Sequence, residues 1–158
     1  MVDKNKAVLD FLATCPEIAT SPFFVNFMNA KDNDVQFMTN SNDTYLNRKF
    51  IDGSEMKQYL FSIVITKTMS DMAIAKDIDA NENIDDIAEI QKVMDWVNTQ
   101  GENQNFPDFG EDCIIEEMHT TAENPDIDGI NIETIPALAL YSMEIKINYI
   151  DYSKIIYK

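Results

Sequence analysis

The stretch FIDGSEMKQYLFSIVITKT (residues 50–68) decides the fold. Within it Tyr59, Phe61, Ile63 and Ile65 alternate with Gln58, Ser62 and Thr66. This period of two sends side chains to opposite faces and predicts a half-buried strand over residues 56–68. Ahead of it, Asp52-Gly53 is the dipeptide that supplies the positive φ angles of a two-residue hairpin turn, so residues 45–51 are expected as the first arm. A second strand of the same kind is predicted over residues 137–150. There Tyr141, Met143, Ile145, Ile147 and Tyr149 alternate with Ser142, Glu144, Lys146 and Asn148.

Outward from this pair, residues 23–28 and 35–39 are aromatic or β-branched runs flanking a polar cluster at 29–34, and are expected to pair as strands. Residues 5–15 carry Ala7, Val8, Phe11 and Leu12 at helical spacing before Pro16. Residues 69–83 read as a loop. From about Asn83 to Gly101 a helix is expected, with Ile84, Ile87, Ile90, Met94 and Val97 on its apolar face and acidic residues in its first turns. Residues 113–121 read as a strand and residues 123–136, with Asn-Pro and Asp-Gly pairs, as turn chemistry. The order helix, four strands, helix, two strands predicts an α+β fold: an antiparallel or mixed sheet of about five to six strands with two main helices packed on it. Residues 1–150 are expected to form a single domain, and residues 151–158 a terminal strand or an arm.

Composition narrows the function classes. The chain has 158 residues, 45% hydrophobic and 10% aromatic, enough for one domain with a real core. Twelve Lys and Arg against 28 Asp and Glu give a net charge of -16. No basic cluster stands out, so affinity for nucleic acid through counterion release is not expected, and an anionic membrane surface is disfavoured. The acidity serves solubility, or the wall of a channel that passes DNA without holding it. Cys15 and Cys113 lie far apart among apolar neighbours, as reduced thiols do. Neither a signal peptide nor an apolar run of membrane-spanning length is apparent.

Candidate chemistry is sparse. His119 is the only histidine, so any nucleophilic triad must pass through it, and it falls within a predicted strand. Two cysteines and one histidine at unrelated spacings do not make a zinc site. The four glycines form no phosphate-loop pattern. Residues 77–85 match the first, third and fifth positions of a calcium loop, but Glu82 stands where the turn needs glycine and Ala88 where it needs a chelating glutamate. That segment reads as a solvated acidic helix start. No catalytic, cofactor-binding or metal residues are assigned.

What remains are residues of packing and assembly. Trp96 lies on the second helix, with Phe106, Pro107 and Phe109 in the loop beyond it. Phe106 and Phe109 are expected either to pack against Trp96 or to anchor an interface. Ile155, Ile156 and Tyr157 make the terminal segment apolar enough to dock on another chain or to close the subunit's own sheet.

Several of these features resemble one family when taken in order. They are Thr14-Cys15-Pro16 after a short helix, the hairpin over residues 50–61, QKVMDW (91–96), NFPDFG (105–110) and the final strand over residues 141–147. Together they resemble the small minor capsid or tail-terminator proteins of phages and prophages of Gram-positive bacteria. The resemblance spans residues 7–149. It implies a subunit of a ring, a hexamer, that closes the head-proximal end of the tail tube and joins it to the head connector. Implied partners are other copies of the chain, the tail tube protein and a head-completion or connector protein, with DNA passing through unbound. The implied location is the virion neck, assembled in the host cytoplasm, with no enzyme activity and no cofactor. Rival readings are another neck part, an acidic DNA mimic that inhibits a basic partner, and a hydrolase using His119 or a carboxylate pair.

Overall fold

The computed structural model describes residues 3–19, 21, 23–25, 34–39, 48–68, 80–131 and 138–155. Its elements, in chain order, are α1 (Lys4–Leu12), β1 (Phe23–Val25), β2 (Val35–Thr39), β3 (Arg48–Lys49), β4 (Glu55–Thr68), α2 (Ala80–Glu102), β5 (Cys113–Thr120), β6 (Asp126–Asn131) and β7 (Leu138–Asp151). The fold is α+β, with seven strands among the described residues where about five to six were expected.

Two long strands form the axis. β4 and β7 pair antiparallel over their whole length, from Glu55 opposite Asp151 to Thr68 opposite Leu138. β2 and β3 flank β4, while β5 and β6 flank β7. On one face the alternating residues of both axial strands meet: Tyr59, Phe61, Ile63 and Ile65 stand opposite Ile147, Ile145, Met143 and Tyr141. Both helices contribute to this core. α1 buries Val8 and Leu12, and α2 buries Ile90, Val93, Met94 and Val97. The spacing 90, 93, 94, 97 is one helical stripe. Ile87, expected on that stripe, lies at its exposed margin.

α1 starts for a local reason. The Asp3 carboxylate caps α1 by accepting the backbone N–H groups of Asn5 and Lys6 at 3.0 and 3.3 Å. α1 ends at Leu12, three residues before the expected limit, and tight turns at Thr14 and Cys15 carry the chain into Pro16. α2 begins at Ala80 rather than Asn83. Lys67, buried at the end of β4, reaches Glu89 on α2 at 2.9 Å and ties that helix to the axis.

Four further departures have physical causes. The Asp52-Gly53 hairpin closes through three residues, not two: Phe50 N–H donates to Ser54 O, Gly53 N–H donates to Phe50 O, and Gly53 alone takes the left-handed conformation, at φ 93°. This is a turn followed by a glycine bulge. The expected arm residues 45–47 lie outside the described residues. Second, β1 pairs with β2 in parallel, Phe23 opposite Val35, a pairing no tight hairpin turn gives. Third, β4 is half-buried only in its first part. Val64, Thr66, Leu138 and Leu140 on the second face are buried as well. Fourth, β6 occupies what reads as turn sequence, DIDGIN. It is an edge strand bulged between Ile127 and Gly129, and edges tolerate Asp, Gly and Asn that central strands exclude. No helix among the described residues is long and apolar enough to cross a membrane.

Candidate assembly surface

The loop after α2 is built by the way the helix stops. Gln104 adopts φ 59°, and Asn105 N–H donates to Gln100 O at 2.9 Å while Gln104 N–H donates to Gly101 O at 3.2 Å. These two bonds form a Schellman cap with glutamine in the left-handed position that glycine ordinarily fills. Replacing Gln104 with glycine is therefore expected to stabilise the protein by about 1 kcal/mol, read as a raised urea midpoint.

The chain then doubles back through Phe106, Pro107 and Phe109. Phe109 is buried edge-on between Tyr59 of β4 and Tyr149 of β7, with ring centroids 5.8 and 5.3 Å away. Lys4 of α1 places Nζ 5.9 and 5.5 Å from the Phe109 and Tyr149 rings. The Tyr59 hydroxyl hydrogen-bonds Asn5 Oδ1. Trp96 goes elsewhere: its ring meets Phe11 of α1 at 5.0 Å. The structure thus brings Trp96 and Phe109 to two different parts of α1 and gives Phe109 tyrosine partners.

Phe106 is half-buried and Pro107 buried, and both face a groove of about 420 Å³ beside α1. Its floor is Phe11, Phe106 and Pro107, and its rim carries Asp3, Asp10 and Asp108 against one cation, Lys6, among the described residues. Asp108 also holds the loop, accepting Gly110 N–H at 2.9 Å. The groove is aromatic below and acidic above.

A second cavity of about 410 Å³ opens between Lys4, Cys113 and Asp151. Burial works against the charged form of Asp151. Hydrogen bonds from Lys57 Nζ, at 2.7 Å, and from Ser153 outweigh it and hold the carboxyl at about 2. Because the folded-state value lies below the usual carboxylate range, the Lys57–Asp151 pair stabilises fully above about pH 4 and is lost as pH falls toward 2. A Lys57→Met variant is expected to be less stable than wild type at pH 6, with the gap closing between pH 4 and 2 in thermal unfolding.

Burial holds both thiols in their protonated form. Burial pushes the Cys15 thiol up to about 12, where it donates to Glu17 Oε2 at 3.3 Å. The Cys113 thiol is raised by burial too. Neither is poised as a thiolate nucleophile. His119 sits half-buried on β5 with Nδ1 3.0 Å from Thr120 O and Nε2 3.9 Å from Glu117. Among the described residues no three His, Cys, Asp or Glu side chains cluster as a metal site. The helical backbone from Ala80 places Asn81 and Glu82 in a helix, not in a cation loop, while residues 77–79 lie outside the described residues.

In the terminal segment, Asp151 closes β7, Tyr152 N–H donates to Asp112 O at 2.7 Å, and Ile155 follows in a turn, half-buried. Ile156 and Tyr157 lie outside the described residues. One exposed feature escaped the sequence reading. The tip of the β3–β4 hairpin presents Phe50, 42% exposed, and Ile51, 93% exposed, beside Arg48 and Lys49. The available signal was two large apolar residues immediately before a turn dipeptide. A scan against protein-family models finds no match for this chain, and a search of curated proteins finds none either.

Proposed function

We propose that this chain is a structural subunit of a phage head–tail junction, which self-associates into a ring that terminates the tail tube and joins it to the head connector. One observation carries the reading: two of the motifs, far apart in the sequence, are neighbours in the fold. The second arm of the hairpin supplies Tyr59, the NFPDFG loop supplies Phe109, the final strand supplies Tyr149, and the short first helix meets all three through Lys4 and Asn5. Tyr59 and Phe109 fall within two of the motifs that carry the resemblance to tail-terminator proteins, residues 50–61 and 105–110, while Lys4, Asn5 and Tyr149 lie on the first helix and the final strand beside theirs. These two motifs meet in one corner of the fold, as expected of signatures that encode a scaffold rather than a reaction centre.

The net charge of -16 suits this role. A ring lined with carboxylates repels phosphate and lets DNA slide without capture. The protein is expected not to retard duplex DNA in a gel even at about 50 mM salt, where phosphate contacts are stronger than at physiological salt. The decisive test is mass in solution by sedimentation, with electron microscopy of the particles. Ring-shaped oligomers that bind tail-tube subunits support the reading. A strict monomer that binds no tail-tube subunit overturns it. Ring formation alone does not separate a terminator from another neck part; the position of its gene relative to that of the tail tube protein does.

A further inference from the structure

We propose that the groove beside α1 docks an arginine side chain carried by an extended segment of a different, basic protein. Such docking does not depend on the ring and is tested apart from it.

Floor and rim ask for one chemistry. Phe11 and Phe106, both half-buried, offer aromatic faces beside Pro107 in a space of about 420 Å³. An apolar side chain would suit this floor, but above it stand the carboxylates of Asp3, Asp10 and Asp108 against the ammonium of Lys6. A guanidinium satisfies both, stacking its plane on an aromatic ring while its fork of N–H donors meets carboxylate oxygens. Lysine, a strongly hydrated point charge, suits the rim and not the floor.

The three rim carboxylates are not equivalent. Asp3 is engaged in capping α1, and Asp108 in holding Gly110 N–H. Asp10 is exposed and, among the described residues, has neither a hydrogen bond nor an ion pair, even with Lys6 one turn before it. It also lies in the last turn of α1, where the helix presents its negative end and no basic side chain stands. A cation at Asp10 therefore gains from the carboxylate and from the helix terminus together.

The cation is not supplied by a second copy. Lys49, Lys57, Lys67 and Lys154 already face Glu55, Asp151 or Glu89. Arg48, the only arginine, stands on a hairpin whose charges balance, since Lys49 is paired with Glu55 and the turn carries Asp52. Another copy would also bring a charge of -16 toward an equal one. A net basic protein is instead drawn in by the same field that repels a copy.

Two peptides of equal charge, acetylated and amidated, test the site: Gly-Arg-Ser-Arg-Gly and Gly-Lys-Ser-Lys-Gly. Each is titrated to about 10 mM into ¹⁵N-labelled protein at about 150 mM salt, followed by amide chemical shifts. Expected are saturating shifts confined to α1 and residues 106–108, with the arginine peptide bound at least about threefold more tightly than the lysine peptide. Asp10→Asn and Phe106→Ala, each with an otherwise wild-type spectrum, are expected to weaken the arginine peptide about fivefold or more. Asp126→Asn, which removes an exposed carboxylate from the edge strand β6, is expected to leave binding unchanged. No shift, shifts that spread over the acidic surface without saturating, or equal affinity for both peptides overturns the site. So does arginine-peptide binding that survives Asp10→Asn or Phe106→Ala, or that Asp126→Asn weakens as much. The peptide comparison uses the wild-type protein and decides even where a variant fails to fold. None of these outcomes bears on the ring, which is judged by mass and microscopy.

Discussion

Truncating Phe109 to alanine is expected to cost about 3–5 kcal/mol of folding stability, the range for an aromatic side chain removed from a closed site. The value follows from what the ring touches. It is 4% exposed, its edges meet Tyr59 and Tyr149, and the Lys4 ammonium lies over its face. These neighbours belong to β4, β7 and α1, so the cavity left by alanine opens where the two axial strands meet the first helix. Collapse there is difficult, because β4 and β7 are locked to each other through the whole ladder and cannot close on the void. The aromatic pair terms, about 0.5–1.5 kcal/mol each, vanish with the ring. Phe106→Ala provides the comparison, since Phe106 is only half-buried on the groove floor, and its loss is expected to cost about 1 kcal/mol. Urea unfolding of the two variants measures the contrast. Equal costs would mean that the loop is braced by its groove side and not by the tyrosines.

The same corner shows what was legible in the sequence. The α+β class, the axial strands and α2 could be read because their apolar periods are long and face one core: Tyr59 to Ile65, Tyr141 to Tyr149, Ile90 to Val97. That an aromatic loop follows Trp96 was legible as well. Which rings meet was not, since the pairing of Phe109 with Tyr149 joins residues 40 positions apart and depends on strand register. β6 was illegible because an exposed edge strand needs no apolar alternation, and its Asp, Gly and Asn mimic a turn. Parallel pairing of β1 with β2 leaves no local signal, as either direction uses the same side chains. The hairpin tip and the groove were hidden for a further reason. Ile51 reads as one more apolar strand residue until the three-residue turn places it in solvent, and Asp3, Asp10 and Asp108 are three acids among 28 until the fold gathers them.

Gly101 carries the second large effect. Its position near the end of α2 suggests a cap, yet the left-handed residue of that cap is Gln104. The glycine has a different duty: a methyl group at Gly101 would lie 2.1 Å from the carbonyl oxygen of Met118 and 3.1 Å from its carbonyl carbon. Met118 is buried in β5, whose backbone is hydrogen-bonded to β7, so the obstructing atom belongs to a sheet and cannot rotate aside as a side chain would. Relief requires the end of α2 to lift from β5, straining the bonds by which Asn98 holds Thr120: its amide donates to Oγ1 and its carbonyl accepts the backbone N–H, both at 3.0 Å. Gly101→Ala is expected to cost about 3 kcal/mol, the upper part of the range for overpacking, even though alanine is the better helix former by about 1 kcal/mol. Gly129→Ala, the control, meets nothing within 4 Å in the edge strand β6 and is expected to be neutral or to gain about 0.5 kcal/mol by restricting the unfolded chain. Thermal unfolding of both variants reads the difference directly. A Gly101→Ala protein as stable as wild type would show that α2 can ride away from β5 at little cost, and that the close approach is a consequence of packing elsewhere, not a constraint on it.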